Sequence, residues 1–121
     1  AIKLMKRNSC GRIVNLSTIH VPMGSVGTSI YGASKAAVEQ FSKVLAHEVA
    51  PFGITVNTLG LSFVDHIGMA ESVSDDAALE TLDRTILKSR LSLEDVANAL
   101  DFLISEKSSM VTNQTIYLGG I

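Results

Sequence analysis

The stretch Tyr31-Gly32-Ala33-Ser34-Lys35 lies between a segment rich in glycine, serine and threonine, residues 24–29, and a long amphipathic run that ends at Ala50. If this run is helical, Tyr31 and Lys35 are about one turn apart and project from the same face. An ammonium group beside a phenol favours the phenolate, which would make Tyr31 a usable general acid and base. A tyrosine and a lysine also share solvated helix faces by accident, so the surrounding sequence has to decide between the two interpretations.

Composition and charge exclude several classes of partner. The chain has 121 residues, of which 46% are hydrophobic, and a formal net charge of -2. No block of lysine and arginine is long enough to follow a phosphate backbone, and no stretch approaches the ~20 apolar residues that a membrane span needs. We therefore expect no nucleic acid and no membrane as partners.

Cysteine and histidine usage bears on the compartment and on metals. Cys10 is the only cysteine, so the chain can form neither an internal disulfide nor a cysteine-rich metal site, and a reducing compartment, the cytoplasm, is expected. The first residues are basic but no apolar core of signal-peptide length follows them. No spacing places two of the three histidines on one helical turn, so we expect no metal site.

Apolar patterns along the chain alternate between strand and helix. Short β-branched runs predict strands over residues 12–16, 54–59 and 114–118. A 3.6-residue period predicts the helix 31–50, which Pro51 and Gly53 end. Residues 1–7 look like the last turns of a helix, residues 21–30 are expected to form a loop, and further helices are expected over residues 75–87 and after a capping box of Ser92 and Asp95. This alternation predicts an α/β fold, in which helices cover a parallel sheet and ligands bind at the carboxyl ends of its strands.

The order of these segments resembles the C-terminal half of a short-chain dehydrogenase/reductase (SDR), in particular the 3-oxoacyl-[acyl-carrier-protein] reductase group. The resemblance covers almost the whole chain and implies a Rossmann-type parallel sheet with flanking helices that is incomplete, with residues 1–121 as the C-terminal half of one domain. It is carried by residues 11–18 (GRIVNLST), 31–38 (YGASKAAV), 53–58 (GITVNT), 94–98 (EDVAN) and 111–115 (VTNQT).

The resemblance also implies an activity and the residues that carry it. The activity would be an NAD- or NADP-dependent interconversion of a small-molecule carbonyl and a secondary alcohol by hydride transfer. Tyr31 would exchange the proton with the substrate oxygen, while Lys35 would favour the phenolate and hold the cofactor ribose. Thr18 stands thirteen residues before Tyr31, where the family has a serine that binds the substrate oxygen. Val64 and His66 correspond to residues that meet the cofactor.

The chain departs from the family pattern in several places. Threonine replaces serine at Thr18, and Leu61-Ser62 replaces the Pro-Gly that lies under the nicotinamide. No glycine-rich turn follows a strand to seat a pyrophosphate, so these residues alone do not complete a dinucleotide site. The residues that distinguish NAD from NADP would lie in the half that carries this turn.

Two alternatives come from other classes of protein. One is an SDR-like subunit with weak or no catalysis, whose role is association; Val38, Phe41, Leu45 and Val49 on the helix 31–50 would then form the face of a homo- or hetero-oligomer. The other is a hydrolase, because residues 32–36 are one residue from a G-x-S-x-G elbow. That elbow needs a strand directly before its serine, and a loop is expected here instead.

Overall fold

The computed structural model of the protein describes residues 1–65 and 75–121 and contains a three-stranded parallel sheet. The strands follow chain order, β1-β2-β3, and Gly11 of β1 pairs with Ile54 of β2 at the start of an unbroken register. The predicted parallel sheet with flanking helices is thereby confirmed. The strands are β1 (Gly11–Thr18), β2 (Ile54–Leu61) and β3 (Thr115–Tyr117).

Five α-helices connect and cover these strands within the described residues. α3 begins two residues earlier than predicted, and a 3-10 turn that contains Pro51 follows it before Gly53, whose φ of 66° suits a residue without a Cβ. None of the described helices combines the length and the apolar character needed to cross a bilayer. The helices are α1 (Ile2–Asn8), α2 (His20–Met23), α3 (Ser29–Val49), α4 (Asp75–Asp83) and α5 (Leu93–Ile104).

Two local predictions differ from the structure. The predicted loop over residues 21–30 contains the last three residues of α2, because Pro22 falls in the first turn, where a missing backbone N–H is tolerated. α4 ends at Asp83 and not at residue 87, since the backbone N–H of Thr85 bonds to the carbonyl of Leu82 in a tight turn. Both differences arise from local hydrogen bonding that apolar periodicity does not report.

The core lies between α3 and the sheet. Leu45, Ala46 and Val49 of α3 pack with Ile54 and Val56 of β2, and all five are buried. The prediction that Leu45 and Val49 belong to an oligomer face is therefore wrong, because both are already covered by this chain's own sheet. Of that set, Phe41 is exposed and Val38 is half-buried.

The other face of the sheet carries α5. Asn15 and Ser17 of β1 bond to side chains of α3, so Arg12, which is offset by an odd number of residues, points to the opposite face. There the Arg12 guanidinium donates to the carbonyl of Ser105, directly after α5. Helices thus cover both faces of the sheet. The ends of the strands are left open for a site.

Candidate active site

A cavity of about 190 Å³ lies at the carboxyl ends of β1 and β2. Thr18 and Leu61 end these strands and pair with each other, and the chain then turns away on either side, so a depression forms between the two exits. Four of the residues singled out from the sequence meet there: Thr18, Tyr31, Lys35 and Val64. The lining residues are Leu16, Ser17, Thr18, His20, Tyr31, Lys35, Leu61, Ser62, Phe63 and Val64.

Tyr31 and Lys35 stand on the same side of α3, as the four-residue spacing predicts. The Lys35 Nζ lies 6.0 Å from the centroid of the Tyr31 ring and donates a hydrogen bond of 3.1 Å to the backbone carbonyl of Leu16. This bond ties the ammonium group to β1, and its remaining N–H bonds stay available for other acceptors. Tyr31 is 37% exposed at the rim of the cavity, where a substrate can reach its hydroxyl.

Thr18 and Ser17 diverge at the end of β1. Thr18 is buried and lines the cavity, and its Oγ1 accepts a bond of 3.4 Å from the backbone N–H of His20. The Ser17 hydroxyl instead donates to Glu39 of α3 at 2.5 Å. Of these two residues, Thr18 is therefore the one that can present its O–H to a ligand in the cavity.

Val64 lies beside the cavity in a single parallel bridge to Leu91. The two bridging bonds use the carbonyl of Phe63 and the N–H of Asp65. In a parallel bridge of this kind, the N–H and carbonyl of the central residue point away from its partner. The backbone of Val64 is thus directed away from Leu91, which suits a residue expected to meet a ligand through its backbone. His66 lies outside the described residues.

His20 is a site residue that the sequence indicated only by its position, two residues after Thr18. Its ring packs edge-on against the rings of Tyr31 and Phe63, with centroids 6.3 and 6.4 Å apart. Its Nδ1 lies 2.8 Å from the Ser25 hydroxyl. Burial, and then the positive charge of Arg84, lower the pKa of His20 below 6.5. A neutral imidazole thus forms one wall of the cavity.

Arg84 connects the chain after α4 to the end of α2 and to the segment that follows it. Its guanidinium donates to the carbonyl of Met23 at 2.8 Å and approaches the Ser25 hydroxyl at 3.5 Å. The contact spans about sixty positions in sequence, so no local pattern could reveal it. It holds a positive charge on the outer side of His20.

The hydrolase alternative fails on the position of Ser34. This residue lies inside α3, and its hydroxyl donates to the carbonyl of Tyr31 at 2.7 Å. A nucleophile elbow needs the serine on a sharp turn between a strand and a helix. Because helical residues both precede and follow Ser34, that geometry is absent.

Comparison with known proteins is consistent with this architecture. The family model described as Enoyl-(Acyl carrier protein) reductase matches residues 1–120. The 3-oxoacyl-[acyl-carrier-protein] reductase FabG of Rickettsia bellii is 40% identical over 99% of this chain and 49% of its own length. The protein of the same name from Salmonella typhimurium is 34% identical over 98% of this chain and 48% of its own length. The chain spans about half the length of the curated relatives it matches.

Solved structures share the fold at similar coverage. A short chain dehydrogenase/reductase family protein superposes with a TM-score of 0.87 at 34% identity, and the match covers 99% of this chain and 49% of that one. A short-chain type dehydrogenase/reductase from Mycobacterium ulcerans has a TM-score of 0.85 at 28% identity and is covered over 44% of its length. Since the family model matches nearly every residue and solved members share the fold, the chain belongs to the short-chain dehydrogenase/reductase family.

Proposed function

We propose that this chain carries the proton-transfer site of an NAD- or NADP-dependent oxidoreductase that interconverts a small-molecule carbonyl and a secondary alcohol. The observation that carries the proposal is the convergence of Thr18, Tyr31 and Lys35 on one cavity at the strand ends. A hydroxyl, a phenol and an ammonium group that line one cavity form a set suited to proton exchange with a carbonyl oxygen. Membership of the family supports the same class of reaction.

Each side chain has one task in this scheme. In the reducing direction the Tyr31 hydroxyl gives its proton to the substrate oxygen as the carbonyl becomes an alcohol. The Thr18 hydroxyl donates a hydrogen bond to that oxygen and orients it. The Lys35 ammonium group, anchored to the Leu16 carbonyl, stabilises the phenolate that Tyr31 becomes. In the oxidising direction the phenolate takes the proton back.

The described residues fit the nicotinamide end of a dinucleotide. Lys35 has N–H bonds left over beyond its bond to Leu16, and the backbone of Val64 is turned away from Leu91. Lys35 would hold the ribose hydroxyls, and Val64 with His66 would hold the nicotinamide side. When bound, the nicotinamide supplies or accepts the hydride at the substrate carbon.

Residues 1–121 would then be the C-terminal half of a single SDR domain. The pattern that supports this is the order of strand, Tyr31/Lys35 helix, strand and terminal strand, together with the half-length match to the relatives. A pyrophosphate site of the glycine-rich kind would be supplied by other residues of the complete domain.

Association of copies or related subunits is a second part of the proposal. Ile30, Phe41 and Val44 are 87%, 59% and 46% exposed and lie on one side of α3. Exposed apolar side chains grouped on a helix are typical of an interaction surface. We propose this exposed side in place of the predicted association face, which included the buried Leu45 and Val49. If no cofactor binds, association alone is the alternative function.

The first test is titration of the purified complete domain, including the residues that would supply its pyrophosphate site, with NADH and NADPH, read by nicotinamide fluorescence. We expect saturable binding with blue-shifted emission. Tyr31→Phe keeps the ring that packs on His20 and removes only the hydroxyl, so kcat should fall by roughly 100-fold to 10,000-fold, the usual contribution of a general acid and base. Ser34→Ala, which removes a neighbouring hydroxyl outside the cavity, should leave kcat unchanged. A folded protein that binds neither cofactor at millimolar concentration would contradict the enzymatic proposal and favour the association role.

A further inference from the structure

A row of three residues crosses the sheet next to the cavity. Ser17 of β1 pairs with Gly60 of β2, and Gly60 pairs with Tyr117 of β3, so all three share one face of the sheet. A Cβ at Gly60 would collide with the ring of Tyr117. The missing side chain therefore lets the Tyr117 ring lie across β2, toward β1.

Glu39 of α3 accepts hydrogen bonds from the hydroxyls at both ends of this row. Its Oε1 accepts from the Ser17 hydroxyl at 2.5 Å and from the Tyr117 hydroxyl at 3.0 Å, and its Oε2 lies 2.9 Å from the same Tyr117 hydroxyl. Ser17 is buried and Glu39 is half-buried, so the carboxylate needs such donors to offset the loss of water. One side chain thereby joins the helix to both outer strands.

The pKa of the Tyr117 phenol reflects its burial and its contact with Glu39. Burial, followed by the hydrogen bond and the negative charge of Glu39, raises the pKa of Tyr117 to about 12. Tyr117 therefore stays a neutral donor throughout the ordinary pH range. This is the form that the contact with a carboxylate requires.

The position of Glu39 on α3 relates these contacts to the cavity. Tyr31, Lys35 and Glu39 follow at intervals of four residues and share one face of the helix. Lys35 bonds to the carbonyl of Leu16, and Glu39 bonds to the side chain of the next residue, Ser17. Glu39 does not line the cavity, whereas its partner Ser17 does, so any effect on the reaction has to pass through the helix or through Ser17.

We propose that Glu39 is a positioning residue, which with Ser17 and Tyr117 sets how α3 rests on the sheet and so where Tyr31 and Lys35 stand relative to Thr18. The expected effect on kcat rests on the proposed function, whereas the expected effect on the position of Tyr31 does not. A second bond between α3 and β1, from Asn15 to Ser42 at 2.8 Å, lies farther from the pair and does not reach β3. Glu39 alone among these contacts fixes the helix from two directions.

The test uses two variants and a matched control in the purified complete domain. Glu39→Gln keeps the volume of the side chain and removes its charge, and Tyr117→Phe removes only the donor, so the second variant serves if the first does not fold. Glu48→Gln makes the same change at an exposed position of α3. Two readouts are recorded well below the unfolding temperature: steady-state kcat and KM, and fluorine NMR after labelling with fluorotyrosine. The signal that Tyr31→Phe removes is assigned to Tyr31.

We expect both variants to shift the Tyr31 fluorine signal and to lower kcat by about 10-fold with KM unchanged, since small misplacements of reacting groups cost rate more than binding. Glu48→Gln should change neither. Variants that lower only the unfolding temperature, with the Tyr31 signal and kcat of the parent, would overturn the proposal and leave a purely structural contact. If the parent protein shows no turnover, the proposed function fails, and the Tyr31 signal alone decides whether Glu39 positions the helix.

Discussion

Thr18 stands where the family resemblance places a serine, and its hydroxyl is the one at the end of β1 that reaches the cavity. Thr18→Val keeps the branched shape and removes the hydroxyl, so we expect kcat/KM to fall by about 100-fold, the scale of losing one donor to the reacting oxygen. Thr18→Ser should retain activity, because it keeps the O–H and removes only a methyl group. Steady-state kinetics of both variants provide the check, and equal activity of Thr18→Val and the parent would rule out this role.

The pKa of His20 predicts a dependence of stability on pH. Burial and Arg84 lower this pKa in the folded protein, so the unfolded chain binds a proton more readily than the folded chain as the pH drops through 6.5. The contribution of His20 to the free energy of unfolding should therefore be complete above pH 6.5 and should decrease as the pH falls toward the folded pKa. Urea unfolding at a series of pH values measures the slope.

One variant separates His20 from other groups in this pH range. His20→Phe should flatten the slope, since it keeps the ring contact with Tyr31 and removes the titration. A slope that persists in His20→Phe would assign the effect to other groups.

At the scale of elements, the capping box of α5 is the clearest local stabilising feature. The Ser92 hydroxyl accepts from the backbone N–H of Asp95 at 3.1 Å, and the Asp95 carboxylate accepts from the backbone N–H of Ser92 at 2.8 Å. Ser92→Ala should lower the free energy of unfolding by about 1 kcal/mol, as is typical when an N-cap is lost. Ser92→Thr keeps an acceptor and should cost less. Denaturant unfolding distinguishes the two, and equal stability would mean that the cap is replaced by water.

The same box shows how well elements could be predicted from local sequence. Ser92 and Asp95 were recognisable because a cap depends on neighbours three residues apart. α3 was recognisable by its 3.6-residue period, and the three strands by their short β-branched runs. α2 was missed because a short helix has too few residues for a period. Leu45 was assigned to the association face together with Phe41, since both are apolar in sequence, but Leu45 is buried against the sheet and Phe41 is exposed.

At the scale of the whole molecule, the exposed apolar side of α3 predicts association. Phe41→Glu places a charge in the middle of that side, so sedimentation should show a smaller assembly than the parent forms. Asn98→Asp, which adds a charge at an exposed position of α5, provides the control and should leave the assembly unchanged. Because Phe41 is 59% exposed in the single chain, its replacement should leave the fold of that chain intact. A monomeric parent, or an assembly that resists the change, would contradict the prediction.

The sequence by itself determined the class of fold, the order of its elements and the pair Tyr31 and Lys35, because apolar periods and a four-residue spacing are local properties. Only the tertiary structure decided what lies around that pair. Arg84 reaches Met23, and Tyr117 crosses Gly60 to reach Glu39. These contacts join residues far apart in the chain, and they depend on strand register and on an empty space above a glycine, which no local pattern contains.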